Sequence, residues 1–124
     1  MCCLFGILDY GQTLSRKEKT KILSVLSVAC EERGTDATGI AYNSGGSLKV
    51  YKRPLPAHLL WFRIFEDTNV VMGHTRMTTQ GSERFNANNH PFSGQAGDTN
   101  FALAHNGVLS NDKRLRRQHN LPAT

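Results

Sequence analysis

Apolar and polar positions along this chain follow two periods, and each period predicts an element. Residues 3–8, Cys-Leu-Phe-Gly-Ile-Leu, form a short apolar run bounded by Asp9-Tyr10-Gly11, which predicts a buried strand. Ser15-Arg16-Lys17-Glu18 then fits a capping box, in which the Ser hydroxyl and the Glu carboxylate each satisfy a free backbone N–H. Ile22, Leu23, Leu26, Ala29 and Cys30 recur at three- and four-residue spacing. They make one apolar helical stripe, with Gly34 as its stop. Residues 38–43 and 48–53 predict two strands. Ser44-Gly45-Gly46-Ser47 forms the hairpin turn between them, because Gly accepts positive φ at little cost. Residues 57–65 predict a short helix after Pro54 and Pro56. Residues 69–75 and 100–106 predict further strands, and 110–118 a last helix with Asp112 near its positive end and Arg116 and Arg117 near its negative end. Residues 77–99 are rich in Thr, Gly, Asn and Ser and show no period. A loop of that length in a compact domain predicts a lid or binding loop. Strands outnumber helices and the first turns are hairpin-like, so the pattern predicts an α+β fold with a mostly antiparallel sheet.

Composition narrows the picture. The 124 residues are 39% hydrophobic and 20% charged, the balance of a soluble globular domain rather than a disordered or collagen-like chain. One domain fits, and area scaling predicts about 6,600 Å² exposed when folded. No apolar run approaches the ~20 residues of a membrane helix. Met1-Cys2-Cys3-Leu4 has no basic n-region, so no signal peptide is predicted and the expected location is the cytoplasm. The formal charge is +5. That permits nucleic-acid binding, and much of the excess sits in Lys113-Arg114-Leu115-Arg116-Arg117. The run lacks interleaved aromatics and a recognisable module, so a solvated helix face explains it better than a nucleic-acid partner. Three cysteines, an odd number without a secretory signal, argue against a disulfide framework.

Several residues carry candidate chemistry. If Met1 is removed, Cys2 presents its thiol and its own α-amine on one residue, and the amine can serve as base to the nucleophile; a Cys after Met is also read as incidental. In Gly73-His74-Thr75-Arg76, at a predicted strand end, the Arg offers a rigid fork matched to a carboxylate, or a surface ion pair. In His105-Asn106-Gly107, the Asn amide beside a Gly N–H suits an oxyanion hole, or an ordinary Asn-Gly turn. Five histidines invite a metal reading, with His74, His90 and His105 converging on Cys2 and Cys3. There is no C-x-x-C pair and no H-E-x-x-H, and no zinc template fits, so no metal is expected.

The order of these segments resembles a family. Met1-Cys2-x-Leu4-Phe5-Gly6-Ile7, Arg33-Gly34-Thr35-Asp36-Ala37-Thr38-Gly39-Ile40, Gly73-His74-Thr75-Arg76-Met77-Thr78-Thr79-Gln80-Gly81, Asn89-His90-Pro91-Phe92 and Ala104-His105-Asn106-Gly107-Val108-Leu109-Ser110-Asn111 are similar to the successive motifs of class II glutamine amidotransferases, the N-terminal-nucleophile glutaminase domains. Three positions depart from the family pattern: Cys3 stands where Gly is usual, Met77 where Trp is common, and Gln80 where His is common.

The resemblance implies an Ntn-hydrolase-like αββα sandwich. It implies Cys2 as nucleophile after loss of Met1, attacking the side-chain amide of glutamine and passing through a thioester to glutamate and ammonia. It implies the Asn106 side chain and the Gly107 N–H as oxyanion donors and Arg76 as the clamp on the glutamine α-carboxylate. Thr79, Gln80 and His90 would be substrate-binding, with Arg33 and Asp36 in a loop that shapes the pocket. No cofactor is implied. The family's domains are longer, so the resemblance implies that residues 1–124 cover the N-terminal part of one. The implied partners are glutamine and an ammonia-accepting synthase on another chain, or a completing chain or homo-oligomer. A catalytically inactive remnant acting as a subunit is the alternative within the same fold.

Overall fold

The computed structural model describes residues 2–78 and 82–121. In chain order the elements are β1 (Cys3–Leu8), α1 (Arg16–Cys30), β2 (Ala37–Ser44), β3 (Ser47–Arg53), β4 (Val70–Arg76), β5 (Phe92–Ala96), β6 (Thr99–Leu103) and α2 (Asp112–Gln118). A four-stranded sheet has the order β1-β4-β2-β3, and β5 and β6 form a separate hairpin. Every pairing is antiparallel, which is the predicted α+β pattern.

Strand alternation divides the large sheet into two faces. Phe5, Ile7, Ile40, Tyr42 and Val71 share one face, where Leu23 of α1 and Phe62 and Ile64 of the following segment cover them to form the core. Gly73 leaves the space that the Phe5 ring fills; a Cβ there would collide with the ring. The other face carries Leu4, Leu8, Val70, Met72 and, on β3, Leu48 and Val50. The apolar run 3–8 is therefore half buried, not buried throughout: its burial alternates, with Leu8 72% exposed. The chain exposes 8,084 Å² in all, against the roughly 6,600 Å² expected from its mass.

The α1 capping box forms as read, with Glu18 N–H donating to Ser15 Oγ and Ser15 N–H donating to Glu18 Oε1, both at 3.1 Å. The buried stripe differs. Lys19 and Ser27 are buried along with Leu23 and Cys30, while Ala29 is exposed. Burying an ammonium is costly unless it is paired. Lys19 Nζ donates to Thr68 O at 2.6 Å, Gln12 Oε1 at 3.0 Å and Glu66 O at 3.3 Å, and lies 3.8 Å from Asp9 Oδ2. It thus ties the start of α1 to the turn before β4.

Three expectations need correction. Gly34 does not stop α1 through a left-handed residue. The helix ends at Cys30, a 3-10 turn covers Glu31–Arg33, and Gly34 is extended at φ −169°. Its need for Gly is steric, since a Cβ would lie 2.6 Å from the Thr75 carbonyl carbon and 2.7 Å from Arg76 backbone atoms. Residues 57–65 hold only a 3-10 turn at Ala57–Leu59. Beyond it Phe62 and Ile64 are buried while Trp61, Arg63 and Phe65 are exposed, a period of two that suits extended chain. The aperiodic stretch 77–99 contains β5, whose polar residues pair with β6 across a turn holding Gly97 at φ +60°. The 100–106 strand is correspondingly shorter, ending at Leu103.

The cysteines also differ from expectation. Cys3 and Cys30, 27 residues apart in sequence, form a disulfide with their Cα atoms 5.5 Å apart. The last turn of α1 packs on the start of β1, and that packing, which a cysteine count cannot show, brings the two together. Cys2 is left as the free thiol. Among the described residues no helix is long and apolar enough to cross a membrane.

Candidate active site

A cavity of about 580 Å³ lies at the ends of β1 and β4, and Cys2, Arg76, His90 and Gly107 all line it. Each arrives from a different stretch. The register Cys3↔Thr75 places Cys2 and Arg76 one step further along the same ladder. Cys2 is half-buried, and its thiol lies 3.7 Å from Met77 O. Asp36 fixes the turn out of β4: its N–H donates to Arg76 O at 3.0 Å and its Oδ2 accepts from Thr78 N–H at 2.8 Å. Arg33 is exposed on the preceding 3-10 turn.

Arg76 is buried, 4% exposed, and Nη1 donates to Asn89 Oδ1 at 2.8 Å. Asn89 is itself fully buried, with Nδ2 donating to Glu83 O at 2.8 Å and to Asn86 Oδ1 at 3.1 Å. The following His90-Pro91 peptide is cis. Lys52 of β3 holds this segment down, donating to Asn89 O at 2.7 Å and Pro91 O at 3.0 Å. Burial pushes the Lys52 ammonium below its ordinary pKa. Gly39 makes the approach possible, since a Cβ there would collide with the His90 carbonyl.

The histidines cluster here. His74 and His90 stack with ring centroids 4.2 Å apart. His74 Nε2 donates to His105 O at 3.2 Å, and His90 Nδ1 accepts from His105 N–H at 3.1 Å. The His105 ring in turn lies over Gly107, where a Cβ would meet it at 2.9 Å. Burial lowers the pKa of both His74 and His90 to about 4, and the positive charge of Arg76 adds to the effect. Among the described residues no group of three His, Cys, Asp or Glu side chains is arranged to hold a metal ion.

Not every predicted residue reaches the cavity. Asn106 is exposed and is not among the residues lining it. Thr79 and Gln80 lie outside the described residues. Sequence reasoning gave no role to Asn89 or Lys52. Lys52 carried a signal: by strand alternation it falls on the same face as Leu48 and Val50, an odd place for a cation. A larger groove of about 960 Å³, between the start of α1 and Trp61–Ile64, contains none of the candidate residues.

Thus the site can combine a thiol, a buried guanidinium and a backbone donor next to a neutral imidazole pair. Comparison with known proteins bears on what that set does. The chain is 28% identical over 124 residues to the amidophosphoribosyltransferase of Homo sapiens, an alignment covering 94% of this chain and 24% of that protein. It is 35% identical over 123 residues to an isomerizing glutamine–fructose-6-phosphate aminotransferase of Chlamydia trachomatis, covering 95% of this chain and 18% of that protein. It is 31% identical over 121 residues to the amidophosphoribosyltransferase of Methanocaldococcus jannaschii, covering 95% and 25%. The chain therefore spans a quarter or less of the length of these relatives. No family model matches it, and no solved structure does.

Proposed function

We infer that this chain, which belongs to the class II glutamine amidotransferases, hydrolyses the side-chain amide of glutamine to glutamate and ammonia. Residues 1–124 are read as part of a type 2 glutamine amidotransferase domain. The αββα sandwich of such domains is supported by α1 covering one face of the four-stranded sheet and by the separate β5–β6 hairpin touching β3.

The reaction is a nucleophilic acyl transfer. With Met1 removed, the Cys2 α-amine takes the thiol proton and the thiolate attacks the amide carbon. Arg76 pairs with the glutamine α-carboxylate, its fork oriented by Asn89. The Gly107 N–H and the Asn106 side chain donate to the oxyanion as it forms. Asn106 must turn inward to do so. Protonated by the amine, ammonia leaves, and water cleaves the thioester to release glutamate and regenerate Cys2. His90, with Thr79 and Gln80, belongs to the substrate side of this pocket. The ammonia passes to water or to an acceptor carried by a partner synthase.

One observation carries the reading: Cys2, Arg76, His90 and Gly107, drawn from four separate stretches, line one cavity large enough for an amino acid. The test is an intact mass of the purified chain with and without an electrophilic glutamine analogue, under reducing conditions. A chain lacking Met1 that gains one adduct at Cys2, absent in Cys2→Ala, supports the reading. A folded chain lacking Met1 that gains no adduct and releases no glutamate removes it.

A further inference from the structure

The segment that follows β6 is exposed from His105 to Ser110 and lies outside both sheets. A backbone in that position has nothing of its own to hold its peptide planes. Yet both polar backbone groups of His105 are taken by imidazoles. His90 Nδ1 accepts the His105 N–H at 3.1 Å, and His74 Nε2 donates to the His105 carbonyl at 3.2 Å. That carbonyl shares its peptide plane with the N–H of Asn106, so the two bonds set the direction in which the chain enters Asn106 and Gly107.

The two rings are themselves held firmly. His74 sits mid-sheet on β4, opposite Leu4 on one side and Gly39 on the other, with no exposure. His90 is anchored through the flanking carbonyls bound by Lys52, and it stacks on His74 with planes 15° from parallel. The bonds also fix the tautomers. A carbonyl needs a proton on His74 Nε2, which leaves Nδ1 bare; that nitrogen is buried and has no partner among the described residues. His90 Nδ1 must be bare to accept, so a neutral His90 carries its proton on Nε2. Arg76, Lys52 and His105 are the charged and titratable groups facing the pair.

We propose that His74 and His90 are positioning residues: a stacked, neutral imidazole pair that grips the His105 backbone on both sides and so sets the backbone from which the Gly107 N–H, and the Asn106 side chain once turned inward, reach the reacting carbonyl. The role rests on the glutaminase reading above, but the grip itself is testable without turnover.

The experiment compares wild type with His90→Ala, His90→Asn and His74→Gln. Asn Oδ1 can stand in for the His90 Nδ1 acceptor, and Gln Nε2 for the His74 Nε2 donor. The first readout is hydrogen exchange of the His105 amide at neutral pH. Expected is ~10-fold faster exchange in His90→Ala with β1 and β4 amides still protected, and recovery in His90→Asn. The second is glutamine hydrolysis. A misaimed donor acts only in the transition state, so kcat is expected to fall ~100-fold in His90→Ala, over and above any rise in KM from the ring lost on the substrate side, and His90→Asn and His74→Gln to recover most of kcat. Unchanged His105 exchange in His90→Ala overturns the grip. So does a rate loss confined to KM, or a kcat loss that His90→Asn does not rescue. A wild-type chain without turnover removes the glutaminase reading instead, and the exchange comparison then decides the grip alone.

Discussion

The imidazoles of His74 and His90 stack 4.2 Å apart, and burial holds the pKa of each at about 4. In the unfolded chain both titrate near 6.5. Between those values the unfolded state binds more protons than the folded one, so stability rises with pH across this window. The expected profile is full stability above pH 6.5 and a progressive loss down to pH 4. The fully buried His74 accounts for about 3 kcal/mol of that loss at 1.36 kcal/mol per pKa unit. The carboxylates of Asp9, Glu18, Glu31 and Asp67, held below their usual pKa by backbone N–H donors, lose their contribution only at lower pH. Denaturant unfolding at pH 7.5, 5.5 and 4.5 checks this, and a His74→Gln chain should show a shallower slope.

Cys2→Ala should abolish analogue labelling and glutamate release while leaving the fold intact. The side chain is only half-buried, and its thiol approaches Met77 O at 3.7 Å. Melting temperature and activity, measured on the same sample, separate the two effects.

Arg76→Lys should weaken glutamine binding more than turnover. A lysine cannot pair two-pronged with a carboxylate, nor sit against Asn89 Oδ1 in the same plane. The expected result is KM raised ~10-fold or more with kcat changed less, about 1.4 kcal/mol per decade. Steady-state kinetics over a wide glutamine range read it directly.

Gly34→Ala should destabilise by about 1–3 kcal/mol, because the new Cβ meets the backbone of Thr75 and Arg76 at 2.6–2.7 Å. Backbone in a central strand yields little, and any yielding displaces Arg76. A drop in denaturation midpoint accompanied by weaker glutamine binding is the expected pair of outcomes.

Opening the Cys3–Cys30 link should lower stability by about 3–4 kcal/mol on loop-closure entropy for a separation of 27 residues. Unfolding with and without reductant measures it. Cys30→Ser should show the lower value in both conditions.

Local signals were legible where one stretch of sequence contained the whole cause. The α1 capping box is complete within Ser15–Glu18, and the Gly45-Gly46 turn needs only two residues that accept the observed φ of +59° and +73°. The strands of the large sheet were legible for the same reason. What sequence could not show depends on contacts between distant segments. Lys19 is buried because Thr68 and Glu66 carbonyls meet it, and Cys30 meets Cys3 only once α1 has packed. In residues 82–91 order comes from side chains such as Asn89 and Lys52 bonding the backbone, a pattern with no period to find. The candidate site was legible as an ordered set of motifs, but the histidine grip on His105 was not, because it joins three motifs through backbone atoms that every residue has.

The pairing of Cys3 with Thr75 also bears on how this chain tolerates change. The separation between the Cys2 sulfur and the Arg76 guanidinium is counted in residues along one antiparallel ladder. Slipping β1 by a single residue would turn its side chains to the opposite face. Insertions and deletions should therefore be accepted in the turn at Gly45-Gly46, which lies at the far end of the sheet, and rejected within residues 3–8. The strand acts as a ruler, and its unit is one amino acid.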